Sequence, residues 1–186
     1  MRKVHEKRDV IALIAEIFRE LGYEGASMGR ITARTGLGKG SLYHFFPDGK
    51  EQMAREVLAH VDRWFEEEVF TPLREAPPAE GIDRMWRSVA EYFQSGRRIC
   101  LVGAFALDAT RDPFAQAIRS YFQRWLDALT EALVRLGWDA AQARPMAEQV
   151  VGGIQGALVL ARAMDDDGVF TRVLAQLATQ TALPSL

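Results

Sequence analysis

Apolar residues recur along this chain at the three- and four-residue spacing of a helix face. Val10, Leu13, Ile14, Ile17, Phe18 and Leu21 form the first such stripe. The spacing returns in Met53, Val57, Leu58, Val61 and Phe65, and again in Ile82, Trp86, Val89 and Phe93. The longest stripe is Phe114, Ile118, Tyr121, Phe122, Trp125, Leu129, Leu133 and Leu136. Val150, Val151, Ile154, Leu158 and Ala161 form another, and Phe170, Val173, Leu174 and Leu177 the last. No stretch alternates apolar and polar residues with β-branched enrichment, so no strand is expected. Breaks fall at Gly22, Pro47-Asp48-Gly49, Pro72, Pro77-Pro78, Asp112-Pro113, Gly137 and Asp165-Asp166-Asp167-Gly168. The expected fold class is all-α.

Helix length divides the chain. Between Gly22 and Pro47 the predicted helices are very short, and after Glu51 they are long. This predicts a head over residues 1–50 and a body over 51–186, joined through a shared helix at roughly 50–70. Ser27 is a natural N-cap for a helix over 28–34. Gly36 stands where a tight turn needs positive φ. A second short helix over 38–45 must stop before Pro47, because the residue preceding proline disfavours helix. Ile31, Leu37, Leu42 and Phe46 are spaced to face inward. Lys39, Gly40, Ser41, Tyr43 and His44 are left facing outward, the makeup of a recognition helix in a major groove. The head is therefore read as a three-helix, helix-turn-helix DNA-binding module.

Charge changes the picture slightly in the same direction. The whole chain of 186 residues carries a net charge of −2. Residues 1–50 hold nine Lys and Arg against six Asp and Glu, which leaves +3. Residues 51–186 hold 14 against 19, which leaves −5. A basic head on an acidic body suits contact with phosphate at one end only. With 48% hydrophobic residues the chain can bury a real core. Cys100 is the single cysteine, so no intramolecular disulfide forms and a reducing compartment is the default. No apolar leader core follows the mixed-charge N-terminus. The longest near-continuous apolar run, Ile99 to Leu107, falls well short of the ~20 residues that span a bilayer. A cytoplasmic location without membrane contact is expected.

The stretch from Gly22 to Met53 resembles the head of the TetR/AcrR family of bacterial one-component regulators. Gly22, Tyr23, Ser27, Ile31, Gly36, Gly40, Leu42, Tyr43, Phe46 and Lys50 carry the resemblance, which covers about the first 60 residues. Phe46-Pro47-Asp48-Gly49-Lys50-Glu51-Gln52 resembles the form found near the LmrA/YxaF-type regulators. Thr32 departs from the usual alanine, Gly38 from the usual serine cap, and Gly29 suggests a close backbone approach. The resemblance implies a DNA-binding transcriptional regulator, by family habit a repressor, and not an enzyme. It makes Lys39, Gly40 and Ser41 candidates for base or groove contacts, and Tyr43, His44 and Lys50 for phosphate contacts. Arg30 and Arg34 face out from the first short helix as candidates for backbone contact. Arg2, Lys3, Lys7 and Arg8 form either an arm that reaches DNA or a charged tail.

For the body, the resemblance implies a helical ligand-binding and dimerisation domain with an apolar pocket among its middle helices. Trp86, Phe93, Phe105, Tyr121, Trp125 and Cys100 are the candidate ligand contacts, with Asp108, Arg119 and Gln123 as polar orienters. Cys100 is either a small buried hydrophobe or, near Arg97 and Arg98, a reactive sensor thiol. Gly153, Ile154, Ala157, Leu158, Ala161 and Leu174, beside Gly152 and Gly156, are the candidate dimer contacts; the alternative is packing inside one chain. A two-fold homodimer implies a near-palindromic duplex operator, released by a small apolar or aromatic effector. No cofactor is implied. His5, His44, His60 and Cys100 share no metal-ligand spacing, and Asp165 to Gly168 reads as a solvated turn rather than a calcium loop. Two other classes stay open: a DNA-binding protein with no effector, and a helical carrier or enzyme for hydrophobic molecules.

Overall fold

The computed structural model describes residues 6–108 and 112–182. Among them ten α-helices and three short irregular turns follow one another, and no strand occurs. The helices are α1 (Lys7–Gly25), α2 (Met28–Thr35), α3 (Lys39–Phe45), α4 (Lys50–Phe65) and α5 (Thr71–Glu75). They continue as α6 (Pro78–Tyr92), α7 (Leu101–Leu107), α8 (Ala115–Leu136), α9 (Ala140–Met164) and α10 (Asp167–Thr181). Each apolar stripe in the sequence follows one of these helices, with Phe93 just past the end of α6 and Phe114 just before α8.

Two compact units emerge. The first combines residues up to Asp62 with Leu101–Ile118, and the second combines Arg63–Cys100 with the chain from Arg119 onward. In the first unit, Val10, Ile14, Phe18, Ile31, Leu42, Phe46, Met53 and Val57 are buried. The short helix α7 packs on α1. There the Phe105 ring meets Phe18 at 5.9 Å, Tyr23 at 5.7 Å and Phe114 at 5.3 Å between centroids. The second unit is organised around Phe65, whose ring lies among those of Trp64, Phe70, Tyr92, Phe93, Tyr121 and Trp125. Its α9 and α10 pack along each other.

Three local features differ from the expectation. The shared helix does not run unbroken to residue 70. It stops at Phe65, widens into a π-helical turn over Glu66–Phe70, and resumes as α5. Pro72 is the reason: it has no N–H to give an α-helical carbonyl, and its ring crowds the preceding turn. The wider turn instead lets the Thr71 N–H bond the Glu66 carbonyl. The apolar run before Leu107 forms the short helix α7, which no complete stripe had marked. Gly22 breaks the first helix as expected (φ 69°), but one further turn follows it to Gly25.

The expected close approach at Gly29 is also corrected. A Cβ built there would meet nothing nearer than the Ser27 hydroxyl at 4.0 Å. With no contact to lose, Gly29→Ala should gain helix propensity, up to ~1 kcal/mol. For a chain of this size that raises the unfolding midpoint by about 2–4 °C. Scanning calorimetry checks this, and an unchanged or lower midpoint would refute it.

Candidate nucleic-acid interface

The helix-turn-helix is built by local chemistry. Ser27 stands in extended backbone, and its hydroxyl accepts the Arg30 N–H at 3.3 Å, which starts α2. Thr32 and Thr35 return their hydroxyls to the Met28 and Ile31 carbonyls, each at 2.8 Å. The unusual Thr32 is thereby satisfied within its own helix. Gly36 ends α2 in the left-handed conformation (φ 69°) that a side chain would oppose. Gly38 opens α3 without a side-chain bond. Ile31, Leu42 and Phe46 are fully buried, and Leu37 is half-buried. These anchors turn the opposite side of α3 to solvent.

That outer side carries Lys39, Gly40, Tyr43 and His44, all exposed, with Ser41 half-buried. The Lys39 ammonium lies 5.9 Å from the centre of the Tyr43 ring, a loose cation–π pair that groups a charge with an aromatic hydroxyl. Arg30 is exposed and donates to the Gly25 carbonyl at 2.9 Å, which leaves its charge unneutralised by that bond. Arg34 is different. It holds the Glu20 carboxylate by two hydrogen bonds of 2.7 Å, and this pairing lowers the Glu20 pKa and raises that of Arg34. Its charge is locally matched.

Lys50 is turned toward its own chain. Its ammonium donates to the Tyr23 carbonyl at 3.1 Å, lies 4.1 Å from the Tyr23 ring centre and is 3.8 Å from Glu24. Burial pushes the Tyr23 phenol up, and the charges of Glu51 and Glu24 add to the shift. Lys7 likewise spans α1 to α4, paired with Glu56 at 2.7 Å and lying 5.1 Å over the Phe46 ring. Arg8 is exposed. Arg2, Lys3 and His5 lie outside the described residues. The internal duties of Lys50 and Lys7 were missed in the sequence because nothing local marks their partners, Tyr23 and Glu56.

The six candidate ligand residues do not share one unit. Phe105 belongs to the first unit, in the ring cluster with Phe18, Tyr23 and Phe114. Trp86, Phe93, Cys100, Tyr121 and Trp125 belong to the second. Trp86 is half-buried and donates its indole N–H to Thr181 at 3.2 Å, tying α6 to α10. Phe93, Tyr121 and Trp125 are buried around Phe65, the residue that sequence reasoning did not single out. Cys100 is buried, and nearby Arg98 stacks on the Tyr92 ring at 4.6 Å. Arg119 and Gln123 are exposed on α8, and Asp108 is half-buried in the first unit.

On α8, Arg124 is the polar side chain that reaches the ring cluster, its guanidinium 5.4 Å over Phe70. It bonds Glu66 at 2.6 Å, and Arg74 and Thr71 bond the same carboxylate. Burial pushes the Glu66 carboxyl up, but Arg74, Arg124 and Thr71 together outweigh it and hold the pKa below its ordinary value.

Of the candidate dimer residues, Ile154, Ala157, Leu158, Ala161 and Leu174 are buried within the single chain. A Cβ at Gly153 would meet Leu177 at 2.8 Å, so that glycine lets α10 approach α9. The face of α9 left open is rotated away from them. It carries Gly152 and Gly156, with free space at both Cβ positions, and Val159, Leu160 and Met164, which are 61%, 49% and 63% exposed. The aspartate run forms the α9–α10 turn, where Asp166 caps α10 through the Gly168 N–H at 2.9 Å. No cluster of three metal-ligating side chains occurs among the described residues, and no helix there is long and apolar enough to cross a membrane.

A short capped helix, a left-handed glycine turn and an anchored second helix with a polar outer face define a helix-turn-helix DNA-binding head. Residues 10–57 match the family described as bacterial regulatory proteins, tetR family. Residues 78–176 match the transcriptional regulator LmrA/YxaF-like C-terminal domain. The chain belongs to the TetR family of transcriptional regulators, with an LmrA/YxaF-like C-terminal domain. It is 25% identical over 159 residues to the HTH-type transcriptional regulator LmrA of Bacillus subtilis, covering 83% of this chain and 85% of that protein. It is 22% identical over 171 residues to the HTH-type transcriptional repressor DhaR of a Mycobacterium species, covering 86% and 83%. The fold is shared with a TetR transcriptional regulator from Legionella pneumophila at a TM-score of 0.81 and 21% identity, covering 97% of this chain and 99% of that one.

Proposed function

We propose that this regulator is a homodimeric repressor that a small apolar or aromatic effector releases from a near-palindromic operator. The observation that carries the DNA-binding part is the outer face of α3. Lys39, Ser41, Tyr43 and His44 project from a helix whose opposite side is locked by buried Leu42 and Phe46. Lys39 and Ser41 read the groove, while Tyr43, His44 and Arg30 meet phosphate. Lys50 acts as a positioning residue through Tyr23, since its ammonium is already engaged there.

The dimer forms through the open strip of α9, where Gly152 and Gly156 allow close approach and Val159, Leu160 and Met164 supply apolar area. Two heads in that dimer sit one DNA turn, or a multiple, apart. Effector binding favours a dimer whose head spacing no longer matches the grooves, so DNA and effector each weaken the other by the same factor. The protein works in the cytoplasm, where its DNA is. Sedimentation of a single chain would remove the dimer, and equal effector affinity with and without DNA would remove the coupling. DhaR, named a repressor, supports the direction of control.

The deciding experiment titrates the protein with duplex DNA flanking its own gene across a range of salt. Affinity should fall steeply with salt, with a log–log slope of about 0.9 per phosphate neutralised. Lys39→Ala should weaken operator binding by roughly fivefold to a hundredfold, the loss of ~1–3 kcal/mol from one base contact. Tyr43→Ala should weaken operator and random DNA alike. Operator binding equal to that of random duplex, and unchanged in both variants, would refute the assignment of α3.

A further inference from the structure

We propose that Glu56 on α4 is a positioning residue for DNA binding, which sets the turn between α3 and α4 and through it the place of the Tyr43 ring on the recognition face. This rests on the reading of that face as the DNA contact and adds a residue that acts on it from within the head.

A chain of hydrogen bonds crosses the head from α1 to this turn. The Lys7 ammonium donates to Glu56 Oε1 at 2.7 Å, and the Gln52 amide nitrogen donates to the same oxygen at 2.8 Å. The Gln52 carbonyl oxygen in turn accepts the Asp48 N–H at 3.0 Å. A carboxylate can only accept, so Glu56 draws the Gln52 amide nitrogen toward itself and leaves the Gln52 oxygen to face the turn. Asp48 lies two residues ahead of α4, where a backbone N–H has no helical carbonyl to bond. A glutamine reaching back from the third residue of a helix to such a donor fixes where the helix starts. Glu56 therefore decides which atom Gln52 offers to the turn.

The turn held in this way carries the ring. Gly49 follows Asp48 at φ 69°, and its N–H donates to the Phe46 carbonyl at 2.9 Å. A Cβ at Gly49 would lie 3.6 Å from Tyr43 Cε1 and 3.9 Å from the Tyr43 hydroxyl oxygen, so the ring rests on this stretch of backbone. Lys7 holds the other end of the turn, its ammonium 5.1 Å over the ring of fully buried Phe46. The Lys39 ammonium lies 5.9 Å from the centre of the Tyr43 ring, so a shift of the turn disturbs both groups assigned to DNA.

Charge alone gives Glu56 the opposite effect. DNA is a polyanion, and an acid on a head of net charge +3 lowers its attraction to phosphate. The pair with Lys7 does little to offset this through stability, because its side chains are 42% and 27% exposed and such pairs add little. Removing the Glu56 charge should therefore tighten DNA binding if the residue is only a surface acid, and weaken it if the residue positions the turn. The two roles differ in sign.

The test measures the affinity of the full chain for the duplex flanking its own gene and for random duplex, at one salt concentration. Glu56→Gln should weaken operator binding about threefold or more, the scale of one lost hydrogen bond, despite its more favourable charge. Asp9→Asn makes the same change in charge at an exposed position of α1, and should leave binding unchanged or tighten it. In a Tyr43→Ala background Glu56→Gln should no longer weaken binding, because the ring it places is absent. Gln52→Ala removes the middle link with no change in charge, and should weaken operator binding as Glu56→Gln does. Hydrogen exchange at the Asp48 amide should be slow in the parent protein and faster in both variants. Tighter operator binding in Glu56→Gln, an equal loss with and without Tyr43, a loss in Asp9→Asn as large as in Glu56→Gln, or fast exchange at Asp48 in the parent protein would each overturn the proposal. Should Glu56→Gln fail to fold, Gln52→Ala, alone and with Tyr43→Ala, decides. A chain that binds operator and random duplex alike refutes the reading of α3, and the positioning role with it. One that prefers operator and needs Tyr43, yet binds equally after Glu56→Gln, refutes only the positioning role.

Discussion

Phe65→Ala should destabilise the protein by ~3–5 kcal/mol, the range for deleting a large aromatic side chain from a packed interior. Phe65 is completely buried, and its ring touches six others, from Trp64 and Phe70 to Tyr121 and Trp125. Truncation removes apolar burial, leaves a cavity that these large rings cannot readily fill, and breaks several edge-to-face contacts of ~0.5–1.5 kcal/mol each. Against a total stability of ~5–15 kcal/mol for a typical domain, that is a large fraction. Guanidinium unfolding followed by circular dichroism reads the loss directly. Phe65→Leu keeps most of the volume and should cost clearly less. A loss under about 1 kcal/mol for Phe65→Ala would mean that the cluster closes over the gap and that Phe65 is not its centre.

Gly96→Ala should cost ~2–5 kcal/mol, although it adds a single methyl group. Two independent penalties meet at this residue. Its φ is +104°, in a turn where Gln94 and Ser95 are also positive at 49° and 55°. A side chain in left-handed backbone costs ~1–2 kcal/mol. The new Cβ would also fall 2.7 Å from the Phe170 Cβ and 3.2 Å from its Cγ. Phe170 is fully buried and its ring packs on Phe93 at 6.2 Å, so moving it disturbs the cluster behind it; overpacking of this kind costs ~1–3 kcal/mol. Gly29→Ala is the control. That glycine is helical and exposed, and its Cβ would meet nothing nearer than 4.0 Å, so the unfolding midpoint should rise. If the two variants unfold alike, the turn at Gly96 is freer than its packing indicates.

The head was open to sequence reasoning because its determinants act over a few residues. Ser27 caps a helix that begins one residue later, Gly36 turns the chain where α2 ends, and Pro47 follows a helix that must already have stopped. Each is a choice of local backbone conformation, decided by sterics and by a hydrogen bond to a neighbour in sequence. The alternation of Leu42 and Phe46 with Lys39, Tyr43 and His44 then fixes which side of α3 is outside. The helical stripes of the body and the absence of strand signals came from the same short-range periodicity.

Tertiary structure alone decided the rest. Periodicity shows that Phe65, Phe93, Phe105 and Trp125 lie on helix faces, but it cannot say which rings meet. Phe105 joined Phe18 and Tyr23 in the first unit, while Phe65 became the hub of the second. Lys50 looks in sequence like an exposed cation at a helix start, yet its ammonium finds the Tyr23 carbonyl 27 residues away. On α9, the apolar stripe of Ile154 and Leu158 went inward with α10, leaving Gly152, Gly156 and Val159 as the open strip. Sequence sets what each helix can bury, because burial depends on the spacing of apolar groups along it. What each helix buries against depends on contacts between residues far apart in the chain, and those exist only once the helices have packed.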